Sequence, residues 1–176
     1  MDVDREVIEQ IDEIFFTSSA TQKFSSPEVR EAFRERWLGR YLTSDPDWFY
    51  VAVSKDRVVG YLAGSIDDPA LTPRFADIGY FKVWASETAI YPAHLHVNVL
   101  ASAREHGIGS KLIARFVADL EAAGINGVHL VTGRTSRNVA FYQRNGFNPV
   151  VWMNWNGSEV LMLGRRLTTS PTQSSA

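Results

Sequence analysis

The spacing of apolar residues predicts two amphipathic helices in the first part of the chain. Near the amino terminus, apolar residues recur every three or four positions, which predicts a helix that ends before Thr17. Ser26 and Pro27 have the character of an N-cap and a first helical position, so a second helix is predicted to begin there. We expect the Glu and Arg residues of this second helix to form its solvated face. Its predicted apolar stripe comprises Val29, Phe33, Trp37 and Tyr41.

Alternating patterns predict strands in the middle of the chain. Trp48–Val53 and Arg57–Ala63 are rich in β-branched and aromatic residues and are separated by a short polar turn, which predicts a hairpin. Residues 65–92 have no clear periodicity, and a connection of that length is usually functional or contains further structure. Over residues 94–99, apolar and polar residues alternate, which predicts a strand with two different faces.

Helices and strands are predicted to alternate in the last part of the chain. A helix is predicted from Gly107 to a C-cap at Gly124, and a strand over residues 128–132. A short helix over residues 136–144 follows, and then a closing hairpin of Trp152–Trp155 and Glu159–Leu163 around Asn156–Gly157.

The order of these elements predicts an α/β (α+β) fold with a mixed sheet and helices on both of its faces. We expect residues 1–167 to form a single domain and residues 168–176 to form a flexible polar tail. The chain is 45% hydrophobic and 22% charged, which is ordinary for a globular protein.

Composition and charge exclude several kinds of chemistry. The formal charge of −2 argues against non-specific nucleic-acid binding. The chain has no cysteine, which excludes disulfides, cysteine-ligated metals and thiolate nucleophiles. Because no apolar run has membrane-spanning length and Met1–Arg5 lacks a signal-like segment, we expect a cytoplasmic protein without a membrane partner. No spacing of histidines and carboxylates indicates a metal site.

The strongest chemical signal lies where the predicted strand over residues 94–99 leads into the helix that begins at Gly107. The first amides of a helix have no partner one turn back, and the helix dipole adds roughly half a positive charge there. An anion such as a phosphate is therefore favoured at this turn. Gly107 and Gly109 have no Cβ, which lets a ligand approach the backbone, and Arg104 adds a charged donor.

Three phosphate-binding patterns compete for this turn. A nucleotide-triphosphate loop requires Gly-x-x-x-x-Gly-Lys-Ser/Thr, and Gly109–Lys111 lacks both the spacing and the hydroxyl. A dinucleotide fingerprint requires a third glycine, and this chain has Leu112 at that position. It also requires an acidic residue at the end of a second strand, which is absent here. The pattern Arg/Gln-x-x-Gly-x-Gly/Ala, preceded by a strand valine, matches Arg104–Gly109 and Val99 at every position.

With this turn the chain resembles the GNAT acetyltransferases, which bind the pyrophosphate of coenzyme A on such a loop. Phe141–Phe147 is similar to a second family segment, aromatic-Tyr-x-x-x-Gly-Phe. The resemblance implies a GNAT-like, mostly antiparallel central sheet. Within the superfamily, Tyr91–His96 is similar to the strand entry of the acetyltransferase-like domain that ends O-GlcNAcases, and of its free-standing bacterial relatives.

The chain departs from the family pattern at three places. Only residues 1–4 are available for the strand that normally precedes the first helix. Ala101 stands where the family usually has proline, and Asn138 lies one helical turn away from the usual position of the coenzyme-contacting asparagine.

The resemblance also implies the reaction and its residues. An amine would attack the thioester of acetyl-CoA directly, in a ternary complex and without a metal. A backbone amide near Val99 would polarise the thioester carbonyl, and Tyr142 matches the family tyrosine that faces the sulfur, which makes it the expected general acid. The implied coenzyme-binding residues are Val97, Val99, Arg104, Glu105, His106, Gly107, Ile108, Gly109, Ser110 and Asn138.

The general base is left open by the sequence. His94 and His96 share one face of the predicted strand, and histidine is well suited to proton removal near neutral pH, so His96 is the candidate. A structural hydrogen-bonding role is the alternative. Asp77 and Glu87 are weaker candidates, and His129 and His106 are interpreted as structural or solvent-facing.

Two functions follow, and a third is compatible with either. The chain is an acetyl-CoA-dependent N-acetyltransferase, or it is a non-catalytic relative that binds acetyl-CoA or another ligand. The third hypothesis is an aromatic surface for a peptide or glycan, formed by Tyr80, Phe81, Trp84 and Tyr91. The acceptor, a small-molecule or peptide amine, is not specified, and the tail and closing hairpin could pair with a second copy as a homodimer.

Overall fold

A computed structural model of the chain describes residues 5–168. Residues 1–4, considered for a first strand, and residues 169–176 of the predicted tail lie outside the described residues. The helices are α1 (Arg5–Ser18), α2 (Pro27–Arg34), α3 (Arg40–Ser44), α4 (Tyr80–Val83), α5 (Ala85–Ile90), α6 (Ile108–Ala122) and α7 (Asn138–Arg144). The strands are β1 (Phe49–Ser54), β2 (Arg57–Ser65), β3 (Ala93–Val99), β4 (Gly127–Gly133), β5 (Asn148–Trp155) and β6 (Ser158–Arg166).

The six strands form one sheet in the order β1-β2-β3-β4-β6-β5. The pairs β1–β2, β4–β6 and β5–β6 are antiparallel. Strands β3 and β4 run parallel, with Ala93 opposite Val128 and His94 opposite His129. The predicted mixed α/β fold, with a mostly antiparallel sheet and helices, is therefore confirmed.

The chain forms two compact units, each built from two segments of the sequence. The first unit combines the described residues up to Gly64 with His96–Ala114. The second unit combines Ser65–Leu95 with the described residues from Arg115 onward. The boundaries fall inside β2, β3 and α6, and a single domain over residues 1–167 stays a prediction.

The core of the first unit is formed by one face of α1 together with apolar residues of α3, β2 and α6. Two polar contacts align its elements: the Gln10 side chain accepts from the Val58 amide at 2.7 Å, and Arg34 pairs with Asp12 at 2.8 Å. Its buried apolar residues are Ile11, Ile14, Phe15, Leu38, Tyr41, Val58, Tyr61, Leu62, Ala63, Leu112 and Ile113.

The predicted end of the first helix is wrong by two residues. Helix α1 continues to Ser18, because the Thr17 hydroxyl donates to the Glu13 carbonyl one turn back, at 2.7 Å, and is satisfied inside the helix.

The second helix begins as predicted but changes its winding. The Ser26 hydroxyl caps it by accepting from the Val29 amide at 3.3 Å. A π-helical turn, Glu35–Gly39, then separates α2 from α3 and rotates the buried face. The predicted stripe is therefore wrong at Val29, which is exposed, whereas Leu38 is buried. Arg34 does not belong to a solvated face, since its side chain is only 17% exposed in its ion pair.

The long connection over residues 65–92 contains the further structure that its length indicated, including α4 and α5. Its aromatic side chains build the core of the second unit: Tyr80, Phe81 and Trp84 are all buried. The hypothesis that they form a ligand-binding surface is therefore wrong for these three residues. Only Tyr91 of that set is partly exposed.

Both predicted hairpins are present, and each turns on two residues in the left-handed region. Lys55 and Asp56 have φ of 48° and 60°, and Asn156 and Gly157 have φ of 50° and 81°. These angles suit the twist of the strands on either side. Strand β5 begins four residues before the predicted Trp152, and α7 begins two residues after the predicted Ser136.

Candidate functional site

The turn between β3 and α6 has a backbone that directs it away from the strand. Strand β3 ends at Val99, a short 3-10 turn follows, and Glu105 and Gly107 take φ of 69° and 73°. The first helical hydrogen bond at this end runs from the Lys111 amide to the Gly107 carbonyl, at 3.0 Å. A Cβ at Gly107 would meet no atom within 4 Å, so it is the left-handed backbone, not lack of space, that requires glycine there.

The amides of this turn are available to a ligand. Within residues 5–168, the backbone amides of residues 105–110 donate to no other group of the chain. They lie at the amino-terminal end of the 15-residue helix α6, whose dipole is positive there. Residues 104–107 are exposed and residues 108–110 are half-buried, so solvent or a ligand reaches this turn.

Side chains stabilise the turn from within. The Arg104 Nε donates to the Val99 carbonyl at 3.1 Å, which holds the guanidinium back against the end of β3. The His106 Nδ1–H donates to the Arg104 carbonyl at 2.8 Å. Among residues 5–168, the Arg104 side chain is therefore anchored through Nε alone.

His96, the candidate base, lies in an aromatic setting within the first unit. Its Nε2 is 3.2 Å from the Tyr41 hydroxyl, and its ring meets the rings of Tyr41 and Trp37 edge-on, at 5.4 and 5.6 Å between centroids. Tyr41 is fully buried and His96 half-buried. The imidazole is thus fixed in position while part of it stays accessible.

The next polar residue on the same face of β3 has a tyrosine partner as well. The Asn98 side-chain amide donates to the Tyr61 hydroxyl at 2.8 Å, and burial raises the pKa of Tyr61 above its ordinary value. The Leu100 amide donates to the Val59 carbonyl at 2.9 Å, so it cannot be the backbone donor predicted near Val99.

Tyr142 lies in the second unit, on α7. Only 7% of it is exposed, and its ring packs edge-on against Phe141 and Phe147. Burial raises its pKa to about 12. Within the described chain no group hydrogen-bonds to its hydroxyl. The Tyr142 hydroxyl is therefore free to donate to a ligand.

The other predicted residues of the second unit have varied surroundings. Asn138 is exposed, and its side-chain oxygen accepts from the Thr132 hydroxyl at 2.9 Å. His94 is buried against Phe75, at 4.7 Å between centroids. Asp77 is exposed, and Glu87 accepts from the Ser86 hydroxyl.

The first unit brings together most of the predicted residues: His96, Val97, Val99 and the whole turn over residues 104–110. Tyr142 and Asn138 belong to the second unit. Sequence reasoning missed Tyr41 and Tyr61 as polar partners because it treated Tyr41 as part of an apolar stripe. The signal was available, since a buried tyrosine needs a partner for its hydroxyl.

A family model of the acetyltransferase (GNAT) domain matches residues 45–149, which is more than half of the 176 residues. The chain belongs to the GNAT acetyltransferase family. The matched span includes the β3–α6 turn and Tyr142, whereas α1 and α2 precede it. The narrower resemblance to the O-GlcNAcase-associated domain stays a prediction.

Solved structures share the fold over nearly the full length. SsHAT is 22% identical, with a TM-score of 0.72 over 94% of this chain and 96% of that chain. An N-acetyltransferase from Staphylococcus aureus Mu50 is 16% identical, with a TM-score of 0.63 over 94% and 96%. The NatC complex bound to Gag peptide and CoA is 16% identical, with a TM-score of 0.58 over 94% and 93%.

No helix within residues 5–168 is long and apolar enough to cross a membrane. In that same range no group of three or more His, Asp or Glu side chains is placed to hold a metal ion.

Proposed function

We propose that this chain is an acetyl-CoA-dependent N-acetyltransferase that transfers the acetyl group to an amine by direct attack in a ternary complex. The observation that carries the proposal is the β3–α6 turn, where the amides of residues 105–110 have no partner within the described chain. Family membership supports the pyrophosphate of the coenzyme as the proposed ligand of this turn. The similarity in fold to the NatC complex, whose structure contains CoA, supports the same assignment.

The turn would hold the coenzyme through backbone and charge together. A pyrophosphate accepts hydrogen bonds from the free amides, and the dipole of α6 adds to their attraction. Arg104 has its Nε on the Val99 carbonyl, so its two terminal nitrogens are directed by a fixed stem and can donate to phosphate oxygens. Val97 and Val99 on β3 and Asn138 on α7 complete the proposed coenzyme contacts.

His96 would remove the proton from the attacking amine. If Nε2–H donates to the Tyr41 oxygen, Nδ1 carries the lone pair and is the basic atom. Tyr41 then acts as a positioning residue that selects this tautomer. The two edge-on rings of Tyr41 and Trp37 restrict rotation of the imidazole, which favours an oriented base.

Tyr142 would stabilise the departing sulfur. With a pKa of about 12, its phenol stays protonated throughout the neutral range. A thiol has a pKa of about 8.5, so complete transfer of the phenol proton to the thiolate is uphill. The main contribution of Tyr142 is therefore a hydrogen bond that strengthens as charge develops on the sulfur.

The proposed reaction balances without a further reagent. The amine nitrogen forms a bond to the thioester carbonyl carbon, the carbon–sulfur bond breaks, and the products are an amide and the thiolate of coenzyme A, which takes up a proton from solvent. His96 takes the proton that the nitrogen loses. The acceptor is proposed to be a small-molecule or peptide amine.

The deciding experiment combines coenzyme binding with turnover. We expect acetyl-CoA to bind by calorimetry, and free thiol to appear when small amines or peptides with free amino termini are added. Arg104→Ala should weaken coenzyme binding about ten- to a hundredfold, because it removes a charge-assisted contact of roughly 1.5–3 kcal/mol. Arg5→Ala, which removes an exposed arginine of α1, is the matched control and should bind like wild type.

Each alternative result has a definite meaning. Binding without thiol release on any amine would show a non-catalytic acetyl-CoA-binding module. No heat with millimolar acetyl-CoA, in a protein that is folded by circular dichroism, would disprove the coenzyme assignment.

A further inference from the structure

A second concave site lies in the second unit, at the end of β6 and beside the first residues of β5. It is a cleft of about 640 Å³, which is within the usual size range of small-molecule sites. None of the residues that line it belongs to the predicted coenzyme or catalytic set. We name it the arginine cleft after Arg144, Arg165 and Arg166, which line it.

The charge of the arginine cleft is uncompensated. None of the described residues that line it is acidic, and none of its three arginines forms an ion pair within residues 5–168. The chain as a whole has a formal charge of −2, so this concentration of positive charge runs against the average of the surface. Like charges repel one another, and a bound anion removes that cost.

Arg165 is held in place before any ligand arrives. Its Nη1 donates to the Asn145 carbonyl at 2.8 Å, and the side chain is only half-exposed. Gly146, at φ 84°, makes room for it, because a Cβ there would lie 3.3–3.4 Å from the guanidinium. A guanidinium fixed by one nitrogen presents its remaining donors in a defined direction.

The walls of the arginine cleft are mixed. Arg166 lies over the ring of Tyr91, at 5.3 Å from its centroid, and that ring packs closely on the bare backbone of Gly164. Pro149 and Val150 add apolar surface. The site therefore combines fixed positive charge with a partly apolar wall.

We propose that the arginine cleft binds the phosphate group of a small phosphorylated molecule, at a site separate from the coenzyme. A phosphate monoester carries close to two negative charges, so it gains more from three arginines than a carboxylate does. The Tyr91, Pro149 and Val150 wall would contact the apolar part of the molecule that carries the phosphate.

The test uses inorganic phosphate and phenyl phosphate as probes. Their binding to the full chain is measured by calorimetry and by heteronuclear NMR. We expect phenyl phosphate to bind more tightly than inorganic phosphate, to shift the signals of residues 144–150 and 164–166, and to bind equally well when the protein is saturated with coenzyme A. Arg165→Gln should weaken phenyl phosphate binding about tenfold or more.

Two further variants keep the test decisive. Arg165→Gln also removes the hydrogen bond to the Asn145 carbonyl, which could change the local structure. The double variant Arg144→Gln, Arg166→Gln changes only exposed side chains and is therefore measured beside it. It should weaken phenyl phosphate binding several-fold. Lys82→Gln removes one exposed charge from the same unit outside the cleft, and it should change binding less than twofold. The proposal is overturned if Lys82→Gln acts like the arginine variants, if coenzyme A displaces the probe, or if no binding occurs at millimolar concentration.

Discussion

At the scale of single residues, removing the hydroxyl of Tyr142 should affect turnover without affecting coenzyme affinity. It is the polar atom of a buried ring, without a partner in the described chain. Tyr142→Phe keeps the packing against Phe141 and Phe147 and removes only the donor. We expect turnover to fall roughly ten- to a hundredfold, the cost of one hydrogen bond to a developing charge, with coenzyme affinity unchanged within about twofold.

The matched control for this change is Tyr91→Phe, which removes a tyrosine hydroxyl elsewhere in the same unit. It should leave turnover near that of wild type. If Tyr142→Phe lowers coenzyme binding and turnover by the same factor, the residue has a packing role and the assignment as donor to the sulfur is wrong.

His96 and Tyr41 form the second test at this scale. If His96 is the base, the rate should rise with pH through the pKa of the imidazole, and His96→Gln should remove that rise. Tyr41→Phe keeps the base but releases its tautomer, so it should keep the rise, lower the rate and move the midpoint of the profile. A profile that neither substitution changes would return His96 to a structural hydrogen-bonding role.

Residue by residue, the sequence predicted side-chain identity better than side-chain partners. The strand face that carries His96 and Asn98 was predictable from alternation alone. Their tyrosine partners were not, because Tyr41 and Tyr61 reach β3 from elements that are distant along the chain. Local patterns specify which face a residue occupies, and long-range packing decides what it meets there.

At the scale of elements, the β3–α6 turn depends on the backbone of Gly107. Its φ of 73° and the open space around it mean that Gly107→Ala costs backbone strain of about 1 kcal/mol without a clash. Gly157→Ala, in the β5–β6 hairpin, has the same strain and the same open space, with φ of 81°. Both variants should lose similar free energy of unfolding in urea, and only Gly107→Ala should weaken binding of acetyl-CoA.

Comparing Gly107→Ala with Gly157→Ala distinguishes an effect of the turn's backbone conformation from an effect of lower overall stability. If Gly157→Ala weakens acetyl-CoA binding as much as Gly107→Ala does, the effect comes from loss of stability, and the turn is not the binding element. If Gly107→Ala binds like wild type, the left-handed backbone is not needed to present the amides.

Elements marked by turn chemistry were predictable, and elements shaped by packing were not. Lys55–Asp56, Asn156–Gly157 and the Ser26–Pro27 cap all lie where the sequence indicated them, since their conformations depend on the residues themselves. The π-helical turn Glu35–Gly39 has no such local signature. The π-helical turn brings Leu38 and Tyr41 into the core together. The regular spacing of the predicted apolar stripe gives no sign of such a change in winding.

At the scale of the whole molecule, the aromatic connection over residues 65–92 is the largest difference between expectation and structure. Aromatic residues without periodicity suit both a binding surface and an irregular core. Tyr80, Phe81 and Trp84 are buried in the second unit and therefore do not face a ligand. Phe81 packs against the buried His94 and His129, and Tyr80 packs against Phe81 and Trp84. The sequence predicts a structural or solvent-facing His129, and its burial contradicts the solvent-facing alternative.

The buried His129 makes the stability of the molecule sensitive to acid. Its Nδ1–H donates to the Tyr91 carbonyl, and its Nε2 is buried with no partner in the described chain. Burial lowers its pKa from 6.5 to about 4, against smaller opposing effects of the Tyr91 carbonyl, the charge of Asp68 and the Ala93 backbone. Between these values the unfolded chain binds a proton that the folded chain does not. Stability is therefore fully present above about pH 6.5 and falls as the pH approaches 4.

The loss of unfolding free energy at acidic pH follows from the shift in the pKa of His129, and a substitution at this residue measures it. A shift of this size corresponds to roughly 3 kcal/mol of unfolding free energy lost across the interval. His129→Asn keeps a donor for the Tyr91 carbonyl but cannot titrate, so its unfolding free energy in urea should depend less steeply on pH than that of wild type. The neighbouring His94, with its ring 5.5 Å away, is present in both proteins, so the difference between the two slopes belongs to His129. Equal slopes would mean that His129 is protonated in the folded chain, with a water or a small local opening satisfying its Nε2.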